Sequence, residues 1–268
     1  MTAWADRRVL LTGVSSGIGR AAAAAWVRQG ARVWGVARST ERLAGLAAEL
    51  GGPPTFVPLP ADVSDDRSMV ALAERVLREL GVPDVVVANA GIGLDALFQH
   101  TTDDDLRRVL ETNVAGVYST IRPFIPGMLA RGSGRIVVVS SVVGKRGVPY
   151  YSAYSASKFA LHGMAAALRT ELRGTGVTVG VLCPSSTRTE FQDRILRPGP
   201  SQPRVRVASH SPESAARALI ALAGNRRREH VLSLEGKAMA WAEKIAPGVL
   251  DAVLARVLVR RKRGSPTV

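Results

Sequence analysis

The stretch that decides the fold is TGVSSGIG, which runs from Thr12 to Gly19. The run Arg7–Leu11 leads into it and reads as a short buried strand, and an alanine-rich helix is expected from about Arg20 to Gln29. Strand, glycine-rich loop and helix in this order are the setting in which a glycine motif indicates dinucleotide binding. The sequence therefore predicts a nucleotide-binding loop at its N-terminus.

Each of the three glycines in this stretch has its own expected role. Gly13 permits a tight turn, Gly17 lets a pyrophosphate approach the backbone, and Gly19 lets the helix pack close to the sheet. The helix N-terminus then offers free N–H groups and a positive dipole to the phosphates. Because the spacing G-x-x-x-G-x-G differs from the common G-x-G-x-x-G, a glycine turn that binds nothing is the alternative.

The second informative stretch is YSASK, from Tyr154 to Lys158, with Ser140 and Ser141 upstream. A tyrosine and a lysine four residues apart lie on one helix face, with their Cβ atoms about 5–6 Å apart. An ammonium at that position is expected to lower the tyrosine pKa from its usual value of about 10. Such a tyrosine can exchange a proton with a substrate hydroxyl or carbonyl oxygen.

Together these stretches resemble the short-chain dehydrogenase/reductase family, from about residue 7 to residue 234. The family pattern T-G-x-x-x-G-I-G is met in full at Thr12–Gly19, and its N-A-G motif is met at Asn89–Gly91. Ser141 lies thirteen residues before Tyr154, which is the separation of the family's catalytic serine and tyrosine. The resemblance therefore favours Ser141 over the serine that precedes it.

The resemblance implies a catalytic set of Asn113, Ser141, Tyr154 and Lys158. A carbonyl oxygen would lie between Ser141 and Tyr154, Lys158 would hold the nicotinamide ribose, and Asn113 would support a water chain to Lys158. The family glycine after Pro184 is replaced by Ser185, so the backbone beside the nicotinamide is expected to differ. The implied cofactor-binding positions are Gly13, Ser15, Ser16, Gly17, Ile18, Gly19, Arg38, Asp62, Val63, Asn89, Ala90, Gly91, Tyr154, Lys158, Pro184 and Thr189.

The end of the second predicted strand bears on the choice of cofactor. An acid there would bind the ribose hydroxyls of NAD, whereas an arginine would bind the 2′-phosphate of NADP. The strand ends in Arg38 and Ser39 with no acid, and both can hydrogen-bond a phosphate. The sequence therefore predicts NADP(H), with NAD(H) as the second choice and an exposed arginine that begins the next helix as the alternative.

Strand-like and helical stretches alternate along the 268 residues. This alternation predicts an α/β fold, a single doubly wound Rossmann domain over residues 1–235, with a seven-stranded, mostly parallel sheet and helices on both faces. The longest predicted helices are Thr102–Arg131 and Tyr151–Gly174. The predicted strands are Arg7–Thr12, Arg32–Ala37, Thr55–Pro60, Asp84–Asn89, Arg135–Ser140, Thr178–Cys183 and His230–Leu234.

Residues 236–268 are predicted to form a basic, amphipathic, helical extension. Apolar residues recur at helical spacing within Val249–Arg263, Trp241 precedes them, and the run Arg260–Arg263 is wholly basic. An aromatic residue, an apolar stripe and a basic terminus suit an anionic membrane interface. Packing on the protein's own domain or across an oligomer interface is the alternative.

Composition limits the class of protein. The net charge of +14 attracts polyanions, but no nucleic-acid-binding motif accompanies it, so nucleic-acid binding is not expected.

The lone Cys183 excludes an internal disulfide. The four histidines are scattered, so no metal site is expected, and no apolar run reaches the 18 residues that a membrane-spanning helix needs. The first strand begins too early for a cleaved signal peptide. We expect a cytoplasmic protein, free or peripheral to the inner face of a membrane, and the resemblance implies a homodimer or homotetramer.

The substrate is expected to be a small apolar alcohol or ketone, such as a lipid, terpenoid or steroid. The predicted function is interconversion of a secondary alcohol and a ketone by hydride transfer. Arginines at 188, 194, 197, 204 and 206 could instead attract an acidic carrier and make the protein a 3-oxoacyl-thioester reductase. A non-catalytic dinucleotide-binding scaffold or a membrane-tethered protein is a third possible function. The segment Arg197–Ser211 is expected to form a loop that covers the substrate. The apolar residues expected near the pocket are Ile92, Leu94, Val142, Val143, Val148, Phe191, Ile195 and Leu196.

Overall fold

The computed structural model describes residues 3–199 and 209–259. They build one seven-stranded sheet in the order β3-β2-β1-β4-β5-β6-β7, in which every neighbouring pair is parallel. Each predicted strand overlaps an observed one, and the predicted doubly wound α/β fold is confirmed. The strands are β1 Arg8–Thr12, β2 Arg32–Ala37, β3 Phe56–Pro60, β4 Val85–Ala88, β5 Gly134–Val139, β6 Val177–Cys183 and β7 Glu229–Val231.

Helices cover both faces of this sheet, so its central strands are apolar on both sides. In β1, Leu10 packs into one hydrophobic core and Leu11 into the core on the opposite face. The α-helices are α1 Gly17–Arg28, α2 Thr40–Glu49, α3 Asp66–Arg75, α4 Asp103–Leu110, α5 Gly116–Ile121, α6 Ile125–Arg131, α7 Ser152–Glu171, α8 Pro212–Ala223, α9 Leu234–Ile245 and α10 Pro247–Leu258.

The predicted helix over 102–131 is not continuous. After α4, which begins with a capping box between Thr102 and Asp105, the π-helical turn Glu111–Ala115 interrupts the regular helix. A 3₁₀ turn then separates α5 from α6, with prolines in the first turns of both the 3₁₀ turn and α6. Because proline lacks a backbone N–H and clashes with the preceding turn, it interrupts the regular hydrogen-bond ladder.

The C-terminal extension consists of two helices rather than one. Helix α9 already begins at Leu234, two residues before the predicted domain boundary, and Pro247 opens α10. Arg260–Arg263, and Arg204 and Arg206 of the predicted covering segment, lie outside the described residues. Among the helices that the structure describes, none is both long enough and apolar enough to cross a membrane.

Candidate active site

The predicted site residues converge at the carboxyl edge of the sheet. The glycine loop follows β1, Asn89–Gly91 follows β4, Ser141 follows β5 and Pro184 follows β6. Since these strands are parallel, their carboxyl ends open on the same edge. Tyr154 and Lys158 come from the first turns of α7, which packs beside this edge.

The glycine loop has the shape of an anion cradle. Gly13 has a φ of +76°, and a Cβ at this position would lie 2.9 Å from the side-chain nitrogen of Asn89. A Cβ at Gly19 would overlap the carbonyl oxygen of Gly13. Within the described part of the chain, no side chain caps the N-terminus of α1 from Ser16, so the N–H groups of its first turn remain available for an anionic ligand.

Thr12 fastens the glycine loop to the β4 loop. Its hydroxyl accepts hydrogen bonds from the backbone N–H groups of Asn89 at 3.0 Å and Ala90 at 3.1 Å. In return, the side-chain amide of Asn89 donates to the carbonyl oxygen of Thr12 at 2.9 Å. Thr12 was missing from the predicted site residues, although its place at the head of the TGVSSGIG stretch was a signal that could have found it.

Ser141, Tyr154 and Lys158 lie together. The Ser141 hydroxyl is close enough to the Tyr154 phenol to favour its ionised form, and the Lys158 ammonium lies 5.6 Å from the centre of the Tyr154 ring. Lys158 also donates a hydrogen bond to the carbonyl oxygen of Val139 at 3.1 Å. By contrast, Ser140 is buried and donates to the backbone carbonyl of Lys158 at 3.1 Å, so it positions α7.

The electrostatics of this group differ from the prediction. Burial raises the pKa of the Tyr154 phenol well above its usual value, and the nearby hydroxyl of Ser141 opposes that shift only in part. The expected lowering of this pKa by Lys158 is therefore wrong for this structure. Burial also lowers the pKa of Lys158 to about 8. Tyr154 is consequently a neutral phenol at pH 7, which suits a proton donor.

Asn113 lies in the π-helical turn Glu111–Ala115 and is fully buried. Its side-chain oxygen accepts from the backbone N–H of Ile92 at 2.8 Å, and its amide nitrogen donates to the Ile92 carbonyl at 2.9 Å and to the Ser157 hydroxyl at 3.0 Å. A Cβ at Gly91 would lie 3.0 Å from the Asn113 side-chain oxygen and 3.5 Å from the Lys158 ammonium. Asn113 thus ties the β4 loop to α7, and the water chain to Lys158 stays a prediction.

The end of β2 presents Arg38 to solvent. The Arg38 side chain is 71% exposed, and its guanidinium lies 3.6 Å from the carboxylate of Asp62. Burial alone would raise the pKa of Asp62, but hydrogen bonds from Ser64 and the charge of Arg38 outweigh it and lower that pKa. Ser39, expected to help with a phosphate, instead caps α2 by accepting from the backbone N–H of Arg42 at 3.2 Å. Val63, beside Asp62, is buried.

The segment after β6 extends from the glycine loop to the tyrosine. A Cβ at Gly17 would lie 3.0 Å from the Cβ of Thr189, so these two residues face each other. The Phe191 ring lies 5.9 Å from the Tyr154 ring, and Glu190 pairs with Arg42 of α2 at 2.7 Å. The buried hydroxyl of Ser185 has no hydrogen-bond partner among the described residues.

The predicted pocket residues divide into two groups. Leu94 is wholly buried in a small core with Ala96, Val109 and Ala153, so it does not line an open surface. Phe191 and Ile195 pack against Gly93; Phe191 also lies beside the tyrosine, whereas Ile195 is buried. Two of the arginines in this segment are paired with acids, since Arg194 contacts Glu190 and Arg197 lies 3.7 Å from Asp95.

A cluster behind the site was not indicated by the sequence. His162, Cys183 and Glu229 place potential ligand atoms within 4.8 Å of one another. The two nitrogens of His162 face different partners, Cys183 at 3.7 Å and Glu229 at 3.5 Å, and the Lys145 ammonium lies 2.9 Å from Glu229. Burial lowers the pKa of His162 to about 4, so its imidazole is neutral at pH 7.

Comparison with known proteins gives consistent results. Residues 7–198 match the family model described as short chain dehydrogenase. The NADPH-dependent pterin aldehyde reductase of Arabidopsis thaliana is 40% identical over 188 residues, which are 70% of this chain and 77% of that protein. The ketoacyl reductase HetN of a Nostoc species is 34% identical over 239 residues, 87% of this chain and 80% of that one. A short-chain dehydrogenase/reductase from Burkholderia phymatum, solved with NAD, superposes with a TM-score of 0.82 at 25% identity and covers 100% of both chains.

Proposed function

The chain belongs to the short-chain dehydrogenase/reductase family, and from that membership we propose that it is an NADP-dependent oxidoreductase that interconverts a secondary alcohol and a ketone on an apolar substrate. Family membership establishes an enzyme that uses a nicotinamide dinucleotide and acts on CH–OH or C=O groups. The observation that carries the finer proposal is the convergence of Ser141, Tyr154 and Lys158 beside the glycine loop.

The residues present fit a dinucleotide. Side chains at Gly13 and Gly19 would fill the space in the loop, and the uncapped N-terminus of α1 suits the pyrophosphate. Asp62 and Val63 would contact the adenine, and Asn89–Gly91 would line the cofactor site. Thr189 would lie near the nicotinamide amide. When bound, the cofactor supplies or accepts the hydride at the substrate carbon.

Tyr154 is assigned the proton transfer. In the reducing direction its neutral phenol donates a proton to the carbonyl oxygen, and in the oxidising direction the phenolate takes the proton back from the hydroxyl. Ser141, which lies close to Tyr154, would hold the substrate oxygen in place. The positive charge of Lys158 would stabilise the phenolate that forms, because opposite charges attract strongly in a buried site.

The preference for NADP(H) rests on Arg38. Its guanidinium is exposed at the end of β2, where β2 itself contributes no acid to bind ribose hydroxyls, although the Asp62 carboxylate after β3 lies 3.6 Å away. A 2′-phosphate there would gain charge-assisted hydrogen bonds from Arg38. The 40% identity to an NADPH-dependent reductase supports the same choice.

The apolar character of the substrate rests on the segment after β6. Phe191 lies beside Tyr154 and would contact whatever group surrounds the reacting carbon, and Ile195 packs next to Phe191 against Gly93. A 3-oxoacyl-thioester reductase is the second candidate, favoured by the 34% identity to a ketoacyl reductase over most of both chains. Against it, Arg194 and Arg197 are engaged with acids of this chain rather than free for an acidic carrier.

We propose a homodimer or homotetramer in the cytoplasm. Large apolar side chains are exposed on the helices expected to mediate assembly, namely Leu110 of α4, Tyr118 of α5 and Phe159 of α7. Such residues would gain free energy by burial against a second copy. Light scattering of the purified chain and of Phe159→Glu tests this, since the variant is expected to reduce the measured mass.

A titration with NADPH and NADH, followed by nicotinamide fluorescence, tests the proposed function. We expect NADPH to bind at least about tenfold more tightly, as one charge-assisted contact implies. The tighter cofactor is then used with a panel of apolar ketones and with acetoacetyl thioesters. Tighter NADH binding would overturn the cofactor proposal, faster reduction of the thioester would favour the second candidate, and the lack of any turnover would favour a scaffold.

A further inference from the structure

The helices α9 and α10, which are separated by a break at Ala246, carry a series of exposed apolar side chains. Its members recur every four residues and are between 50% and 75% exposed. We call this series the apolar stripe, and it consists of Trp241, Ile245, Val249, Val253 and Val257.

One arginine determines which face of these helices points outward. Arg146, in the segment between β5 and α7, has a side chain only 14% exposed. Its guanidinium pairs with Glu243 of α9 at 2.6 Å and with Asp251 of α10. In a helix, residues two positions before and after a given residue lie on nearly the opposite face. Trp241 and Ile245 therefore point away from the domain on α9, as Val249 and Val253 do on α10.

The same contacts pair two of the acids on these helices with Arg146, although the Asp251 side chain stays 67% exposed. The two helices carry three acids, of which Glu243 and Asp251 face Arg146 and Glu235 lies in the first turn of α9. Their three cations, Lys237, Lys244 and Arg256, are exposed, and the Lys244 ammonium lies 5.9 Å from the centre of the Trp241 ring. The sequence continues after Val259 with four basic residues, 260–263. The outer surface thus combines an apolar centre with a cationic margin.

We propose that this surface binds an anionic phospholipid bilayer, with the apolar stripe at the level of the acyl chains and the cations at the headgroups. An apolar face with basic flanks and an aromatic residue is the pattern of helices that lie in such an interface. Two copies that met stripe to stripe would instead bring their cationic margins together in a chain of net charge +14, which is unfavourable.

The inner side of α9 packs beside the active site. Gly236 of α9 packs on Val142, since a Cβ there would lie 2.5 Å from a Val142 methyl group, and Val142 follows Ser141. The lipid contact itself does not depend on the proposed reaction.

The test uses the full-length chain with vesicles of phosphatidylcholine alone and of phosphatidylcholine mixed with phosphatidylglycerol. All four tryptophans lie in the described part of the chain, and among them Trp241 is 65% exposed while Trp4, Trp26 and Trp34 are buried. Tryptophan fluorescence therefore reports on the stripe. We expect co-sedimentation and a blue shift with the anionic vesicles, and no blue shift for Trp241→Phe.

Val253→Glu and Val70→Glu form a matched pair, because both valines lie on helices and both are 50% exposed. Val253→Glu is expected to weaken vesicle binding at least tenfold, and Val70→Glu of α3 is expected to leave it unchanged. A rise in salt should weaken binding to the anionic vesicles, because screening reduces the attraction of the cations.

Four results would overturn the proposal. Three of them are sedimentation of the chain with neither vesicle, equal sedimentation with both vesicles, and vesicle binding by Val253→Glu as strong as that of the parent chain. The fourth is a blue shift of Trp241 that grows with protein concentration in the absence of lipid, together with a doubled mass that Val253→Glu abolishes. That result would assign the stripe to an interface between two copies of the chain.

Discussion

The catalytic edge of the sheet and the α9–α10 pair hold their polar residues in opposite ways. At the catalytic edge, Asn113 is buried and makes three hydrogen bonds, and Thr12 is buried between two loops. In the α9–α10 pair, the single guanidinium of Arg146 joins two carboxylates at the surface. Buried and satisfied networks fix geometry, whereas a few peripheral contacts allow local detachment. Catalysis is therefore expected to depend on the first region, and the attachment of α9 and α10 to the rest of the domain on the second.

Of the predicted changes, loss of the proton donor at the catalytic edge should have the largest effect on turnover. Tyr154→Phe removes the group that exchanges the proton, so we expect kcat to fall by about 10²–10⁴. NADPH affinity should stay within about twofold of the parent, because the glycine loop and Lys158 are untouched. Steady-state rates and a fluorescence titration on the same preparation measure both quantities. Retained turnover would remove Tyr154 from this role.

Arg38→Ala is expected to have the next largest effect, on cofactor selection. Loss of a charge-assisted contact costs about 1.5–3 kcal/mol, which corresponds to roughly 10–100-fold weaker NADPH binding. NADH binding should be unchanged, because NADH has no 2′-phosphate. Arg32→Ala is a suitable control, since Arg32 is half exposed and pairs with Asp6 at the opposite end of β2. Equal loss of both cofactors would contradict the assignment.

The pH dependence of ketone reduction should report on Lys158. Burial lowers its pKa to about 8, so its charge is present below that pH and lost above it. We expect kcat to fall by about tenfold per pH unit above pH 8, with NADPH affinity measured at each pH as the control. The same pKa shift has the opposite effect on stability, so the free energy of unfolding rises with pH where kcat falls. The unfolded state binds this proton up to about pH 10.4, so the buried lysine destabilises the fold fully below pH 8 and less as the pH rises above it.

Arg146→Met tests the attachment of α9 and α10 without touching the catalytic residues. We expect a loss of about 1–2 kcal/mol in the free energy of unfolding, which corresponds to a fall in Tm of roughly 2–8 °C. Turnover on a water-soluble ketone should stay within about twofold. In a chain that lacks residues 241–268 the same substitution should cost less, and a double-mutant cycle measures that difference. A large loss of kcat would show that the two regions are coupled.

Deletion of residues 241–268 is expected to have the smallest effect on chemistry. Turnover on a water-soluble ketone should again remain within about twofold, because the described contacts of these residues with the domain centre on Arg146. Binding to anionic vesicles should be lost at the same time. If turnover disappears while the fold persists, the extension supports the site directly and the separation between the two regions fails.

Local patterns predicted the sheet, and they predicted a set of site residues that the structure brings to one edge of it. The alternation of apolar runs and helical stretches predicted all seven strands, and the glycine spacing marked the loop that the structure shows as an open cradle. Both features depend on residues close together in sequence, since a strand or a turn is specified by its own side chains. The structure also brings Ser141, and not Ser140, into contact with Tyr154.

Other features required partners distant in sequence, and the predictions about them were incomplete or wrong. The pKa of Tyr154 is raised, because burial by the surrounding elements outweighs the opposing effect of Ser141. Ser39 also caps α2, which its local sequence did not indicate, and the core around Leu94 closes over a residue expected to line a pocket.

The sequence by itself determined the family, the order of the strands along the chain and the residues available for chemistry, because these depend on covalent order and short-range periodicity. Only the tertiary structure decided the ionisation of those residues and the outward face of the C-terminal helices. Arg146 contacts acids 97 and 105 residues away, and pairs at such separations are set by how the elements pack. Burial and charge pairing belong to the packed molecule, so no local pattern could specify them.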